Sequence, residues 1–109
     1  MRLREGLALA GVVLVTAALG PGVSAADTAQ AEKGEQVYEN YCVNCHGEGL
    51  RNTSGGVTFD LRKLRPDEHD RFIDSVTNGK KDMPPWKGVL DRDKMEAIWA
   101  YIRTTVDGQ

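Results

Sequence analysis

The chain has 109 residues, two Cys, seven aromatic side chains and a net charge of −2 from 14 Lys plus Arg and 16 Asp plus Glu. That length excludes a second sizeable domain, and the acidic balance gives no footprint for nucleic-acid binding. A chain whose folded part is about 80 residues gains only a few kcal/mol from an apolar core alone, so a disulfide, a metal or another insert is expected to complete it.

Residues 1–25 read as an export signal: Arg2 and Arg4 give a basic start, Leu7 to Leu19 is a 13-residue apolar run, and Val23-Ser24-Ala25 offers small residues before a cut. A permanent bilayer span needs about 20 apolar residues, so no permanent membrane span is expected and the mature domain should cover residues 26–109. That segment carries 12 basic and 15 acidic side chains, a net charge of −3.

Residues 27–32 are small and polar and read as a loose lead-in. From Ala31 to Tyr41, Gly34, Val37, Tyr38 and Tyr41 recur at helical spacing, which predicts a first helix running straight into Cys42-Val43-Asn44-Cys45-His46. Two cysteines three residues apart would close too small a loop to restrict the unfolded chain, so a structural disulfide is a poor explanation. Cys-x-x-Cys-His is instead the attachment pattern of a c-type haem. On one helical turn, positions i, i+3 and i+4 share a face, so Cys42 and Cys45 can reach two vinyl edges of one porphyrin while His46 projects toward the iron. The same residues admit two competitors. A structural zinc site needs four ligands, and a redox dithiol wants a βαβ context; the sequence offers neither a second ligand pair nor convincing strands.

Residues 47–60 carry four glycines and little periodicity, which predicts a loop. Pro66 followed by Asp67, Glu68 and Asp70 gives an acidic helix start, Phe72, Ile73 and Val76 form a buried stripe, and Asn78-Gly79 ends the helix. His69 in the first turn reads as a partly exposed imidazole rather than an iron ligand. Lys80 to Gly88 cannot be helical across Pro84 and Pro85. Asp91 is the expected cap of a last helix on which Met95, Ile98, Trp99 and Ile102 fall at i, i+3, i+4 and i+7. Two methionines of the mature segment compete for the second axial position. Met95 lies on an apolar stripe, where a flexible thioether usually fills core space. Met83 lies outside any helix on a backbone stiffened by prolines, so it is the expected ligand, giving His46 and Met83 as the metal-binding pair.

Over residues 31 to 104 the chain resembles the small monohaem c-type cytochromes. In that family a glycine and an aromatic four residues later on the first helix pack against an apolar residue and an aromatic on the last helix, and Gly34 with Tyr38, and Ile98 with Tyr101, match that pattern. The resemblance implies an all-α cytochrome c fold, with three main helices and long loops around one haem c held covalently by Cys42 and Cys45. One departure stands out: many members have a proline shortly after the motif whose carbonyl receives the second ring N–H of the axial histidine, and none occurs here between His46 and Pro66.

More narrowly, Gly56 to Arg62, Met83-Pro84-Pro85-Trp86 and Ile98 to Arg103 look like cytochromes serving quinoprotein (PQQ) alcohol dehydrogenases in bacterial periplasms. That resemblance implies a periplasmic electron carrier, not an enzyme, that works as a monomer between a PQQ-dependent alcohol dehydrogenase as donor and a terminal oxidase as acceptor. Two alternatives remain at this level: a haem enzyme or gas sensor with an open axial site, and a fixed cytochrome subunit of a larger dehydrogenase or oxidase. Lys80, Lys81 and Lys87 around Met83 form a local basic patch suited to an acidic partner. Trp86 is expected to pack into the core rather than to touch a haem propionate.

Overall fold

The computed structural model describes residues 6, 10–13 and 24–108. The export signal read over residues 1–25 therefore lies mostly outside the described residues. Among the described residues four α-helices follow in chain order: α1 Ala25–Tyr41, the single turn α2 Val43–His46, α3 His69–Asn78 and α4 Arg92–Asp107. Among the described residues there are no strands, only two isolated bridges, Lys80 with Met83 and Lys87 with Leu90. The three longer helices are α1, α3 and α4, and long loops separate them, as the sequence predicts.

The start of α1 is a correction. Residues 27–32 are helical, not loose; in the uncut chain Ser24 caps the helix, its Oγ accepting from the Asp27 N–H at 3.1 Å and donating to the Asp27 carboxylate at 2.8 Å. Alanines at 25, 26, 29 and 31 then favour helix through the first two turns, whatever their polar neighbours.

α1 and α4 cross at Gly34. An added Cβ there would sit 1.8 Å from the carbonyl oxygen of Ala97 and 2.9 Å from the backbone nitrogen of Ile98, so the two backbones touch with no room for a side chain. One turn further on, the Tyr38 and Tyr101 rings pack at 5.4 Å between centroids. Around this crossing Val37, Leu50, Leu61, Leu64, Leu90, Met95 and Ile102 form one core with the Phe72, Ile73 and Val76 stripe of α3.

α4 begins at Asp91, whose carboxylate accepts from the Lys94 N–H at 2.8 Å. α3 follows a turn of 3-10 helix, Pro66–Glu68, closed by the Glu68 carboxylate accepting from the Arg65 N–H at 2.8 Å. A side-chain pair ties α3 to α4: His69 Nε2 lies 2.6 Å from a Glu96 carboxylate oxygen, and Arg92 holds the other oxygen at 2.8 Å. The His69 ring also stacks edge-on against Trp99 at 5.3 Å.

The hydrogen bond to Glu96, with a smaller contribution from Asp70, holds the His69 imidazolium above the usual histidine range despite some loss of hydration. A raised folded-state pKa gives stability that is complete below the unfolded value near 6.5 and is lost as pH rises through the folded value. The contribution of His69 to the urea midpoint is therefore expected to shrink between pH 5.5 and 8.5, and Glu96→Gln should remove that component of the profile. An equally steep profile in the variant would contradict this assignment.

Candidate functional site

Helix α1 delivers the motif. It ends at Tyr41, Cys42 is its C-cap with its N–H donating to the Tyr38 carbonyl at 2.8 Å, and α2 carries Cys45 and His46 on the next turn. The His46 N–H donates to the Cys42 carbonyl at 2.9 Å, which sets the helical spacing that brings the two cysteines and the histidine together. The buried Tyr38 hydroxyl donates to the Gly47 carbonyl and ties the far end of α2 to the helix crossing. Burial, together with the nearby Cys42 and Tyr101, pushes the Tyr38 phenol up, so it stays a neutral donor.

No disulfide joins Cys42, which is half-buried, to Cys45, which is exposed. Burial, and next the neighbouring Cys45, push the Cys42 thiol up to about 11. A redox-active dithiol needs a depressed thiol pKa, so this environment argues against the thioredoxin-like reading. Among the described residues no group of three or more His, Cys, Asp or Glu side chains is gathered as a metal cluster.

His46 is oriented by the backbone. Its Nδ1 lies 3.1 Å from the Phe59 carbonyl oxygen, thirteen residues on, in the glycine-rich loop. A carbonyl only accepts, so Nδ1 carries the proton and Nε2 keeps its lone pair. Burial holds the imidazole below its ordinary pKa, against the opposing pull of the Phe59 hydrogen bond. The ring is thus neutral at pH 7, in the tautomer that a metal ligand requires. The carbonyl of Phe59 fills the place of the missing proline. No sequence pattern announces it, because any residue type carries a carbonyl.

The Met83 loop is built onto the end of α3. Trp86 N–H donates to the Val76 carbonyl at 2.8 Å, and Met83 and Lys80 exchange backbone hydrogen bonds at 3.0 and 3.1 Å. Gly79 lets the chain double back: at φ +76, a Cβ there would meet the Met83 carbonyl oxygen at 2.7 Å. Met83 is half-buried and packs against the core, as does Trp86. The Trp86 ring meets Tyr41, the residue before Cys42, edge-on at 5.6 Å, so the Met83 loop and the cysteine turn are joined by aromatic contact. Met95 is 4 % exposed, and its sulfur accepts from Thr77 Oγ at 3.4 Å, as a core-filling thioether should. Lys80, Lys81 and Lys87 are exposed around Met83, whereas α1 carries Asp27, Glu32, Glu35 and Glu39 against Lys33.

Residues 29–102 match the protein family described as cytochrome C oxidase, cbb3-type, subunit III. Cytochrome c6 of Nostoc sp. is 32 % identical over 104 residues, covering 93 % of this chain and 91 % of that protein. Quinohemoprotein alcohol dehydrogenase ADH-IIG of Pseudomonas putida is 36 % identical over 78 residues, covering 70 % of this chain but 11 % of the dehydrogenase. The solved structure of that enzyme superposes with a TM-score of 0.68 at 32 % identity, over 80 % of this chain and 13 % of the larger one. The FixP subunit of a cbb3-type cytochrome c oxidase from Azorhizobium caulinodans is 28 % identical over 97 residues, 31 % of its length. A Cys-x-x-Cys-His turn set on crossed helices, with a carbonyl-oriented histidine, together with these matches, means that the chain belongs to the c-type cytochromes, the electron-transfer proteins that carry a covalently bound haem c.

Proposed function

We propose that this cytochrome is an exported one-electron carrier of the periplasm, with one haem c bonded through Cys42 and Cys45 and held axially by His46 and Met83. The observation that carries the reading is the His46 ring, fixed through Nδ1 to the Phe59 carbonyl so that Nε2 is left to bind a metal. When bound, the haem supplies an iron that exchanges one electron between Fe(II) and Fe(III). Cys42 and Cys45 would anchor the group at one turn of backbone, and Met83, on the loop braced by Gly79 and Trp86, would supply a thioether as the second ligand. A thioether opposite histidine raises the reduction potential and closes the position that oxygen chemistry needs. No side chain has to move a proton, so the protein acts as a carrier and not as an enzyme.

Intact mass of protein matured in a host that attaches haem tests this directly. The wild type should exceed its polypeptide mass by one haem, and Cys42→Ala with Cys45→Ala should lose it. A colourless wild type at polypeptide mass would end the reading.

The likeness to an alcohol dehydrogenase of the quinohemoprotein type supports such an enzyme as the electron donor, with a terminal oxidase as acceptor. The exposed lysines beside Met83, set against the acidic α1, would steer an acidic partner to that face, and the bimolecular rate should fall as ionic strength rises. A rate indifferent to salt would remove the steering. One observation favours a second reading, a fixed subunit of a larger dehydrogenase: the matching stretch of ADH-IIG is 11 % of a much longer protein. Co-purification with a large partner at stoichiometric yield would select it over the free monomer.

A further inference from the structure

The glycine-rich loop that presents the Phe59 carbonyl has little apolar anchorage: its Val57 is 85 % exposed and Phe59 itself 42 %. What orders the loop is polar. Asn52 Oδ1 accepts from the Ser54 N–H at 2.9 Å and from the Ser54 hydroxyl at 2.7 Å, while Asn52 Nδ2 donates to the Thr58 carbonyl at 2.8 Å. Ser54 Oγ in turn accepts from the Thr58 N–H at 3.0 Å, and the Thr58 hydroxyl donates to the Cys45 carbonyl at 2.7 Å. The Thr58 hydroxyl also lies 2.9 Å from Ser54 Oγ and 3.3 Å from Asn52 Nδ2, so its one proton is shared between the Cys45 carbonyl and Ser54 Oγ, and the Ser54 N–H fixes which end of the Asn52 amide points which way. Consecutive residues of the loop thus clamp consecutive residues of the motif, Thr58 on Cys45 and Phe59 on His46.

We propose that Asn52, Ser54 and Thr58 are positioning residues that set the donor strength of His46, acting through the Phe59 carbonyl. An imidazole whose Nδ1–H is held by an acceptor is a more basic ligand through Nε2, and a more basic ligand favours Fe(III) over Fe(II). Loosening the clamp lengthens the Nδ1–H···O bond and moves the balance toward Fe(II). The inference rests on the reading of His46 as an axial ligand, and intact mass separates the two: a wild type without haem sinks that reading, whereas only haem-bearing protein tests this one.

Thr58→Val keeps the side-chain shape and deletes the hydroxyl. In haem-bearing protein it should shift the Fe(II)/Fe(III) ratio at fixed potential about three- to tenfold toward Fe(II), a rise of about 30 to 60 mV at 59 mV per tenfold for one electron. Thr58→Ser, which retains the hydroxyl, should return the wild-type potential. In the reduced protein, deuterium exchange of the His46 Nδ1–H should speed up in Thr58→Val and not in Thr58→Ser. Should Thr58→Val fail to mature, Ser54→Ala leaves the bond to Cys45 in place and is expected to move both readouts in the same direction. Unchanged potential together with unchanged ring N–H exchange, in either haem-bearing variant, would overturn the proposal.

Discussion

Gly34→Ala is expected to destabilise the protein by about 2 to 3 kcal/mol, although alanine is the better helix former by about 1 kcal/mol. The new methyl group would fall 1.8 Å from the oxygen and 2.3 Å from the carbon of the Ala97 carbonyl, and 2.9 Å from the nitrogen of Ile98. All three atoms are backbone in the middle of α4, so no rotamer change relieves the overlap and the helices must separate. Separation opens the contacts around the crossing, the Tyr38–Tyr101 pair and the fully buried Ile98 and Ile102. The urea midpoint of the variant should fall well below that of the wild type. A midpoint equal to or above it would mean that the helices do not meet at this glycine.

Met83→Ala and Met95→Ala should have opposite signatures, since one sulfur is offered as a ligand and the other fills space. Met83→Ala is expected to abolish the weak band that methionine-ligated ferric haem shows near the red edge of the visible spectrum, to lower the reduction potential, and to let the reduced protein bind carbon monoxide at neutral pH. Its stability should change less, because Met83 is only half-buried. Met95→Ala should keep the band and exclude carbon monoxide, but lose about 2 to 5 kcal/mol from the cavity left beside Thr77 and Leu90. Carbon monoxide binding by the wild type would favour the enzyme or sensor alternative. Loss of the band in Met95→Ala alone would exchange the roles of the two methionines.

What the sequence made legible follows from which signals are carried by residue type. The cysteine turn is written in side chains, and so are the Asp91 cap, the Pro66 start and the Phe72, Ile73 and Val76 stripe, each of which the structure contains. Gly34 and Tyr38 were readable only with Ile98 and Tyr101 beside them, because a close approach needs both faces to be known. The early start of α1 escaped because the cap, Ser24, sits inside a stretch that also reads as a processing site. The Phe59 carbonyl and the His69–Glu96 pair escaped for a shared reason: the first is backbone and the second joins residues 27 apart in the chain. Tertiary placement creates both.

The crossing of α1 on α4 also governs the order in which the molecule can assemble. Its two halves come from distant parts of the chain, so closing it must wait for nearly all the intervening residues, and contacts of such long sequence separation form slowly. During synthesis the thiols of Cys42 and Cys45 emerge well before the helix that will shut the core behind them. Until α4 docks on α1, the core behind the turn is absent, and Cys42, half-buried in the folded chain, stays as open to solvent as its exposed neighbour Cys45.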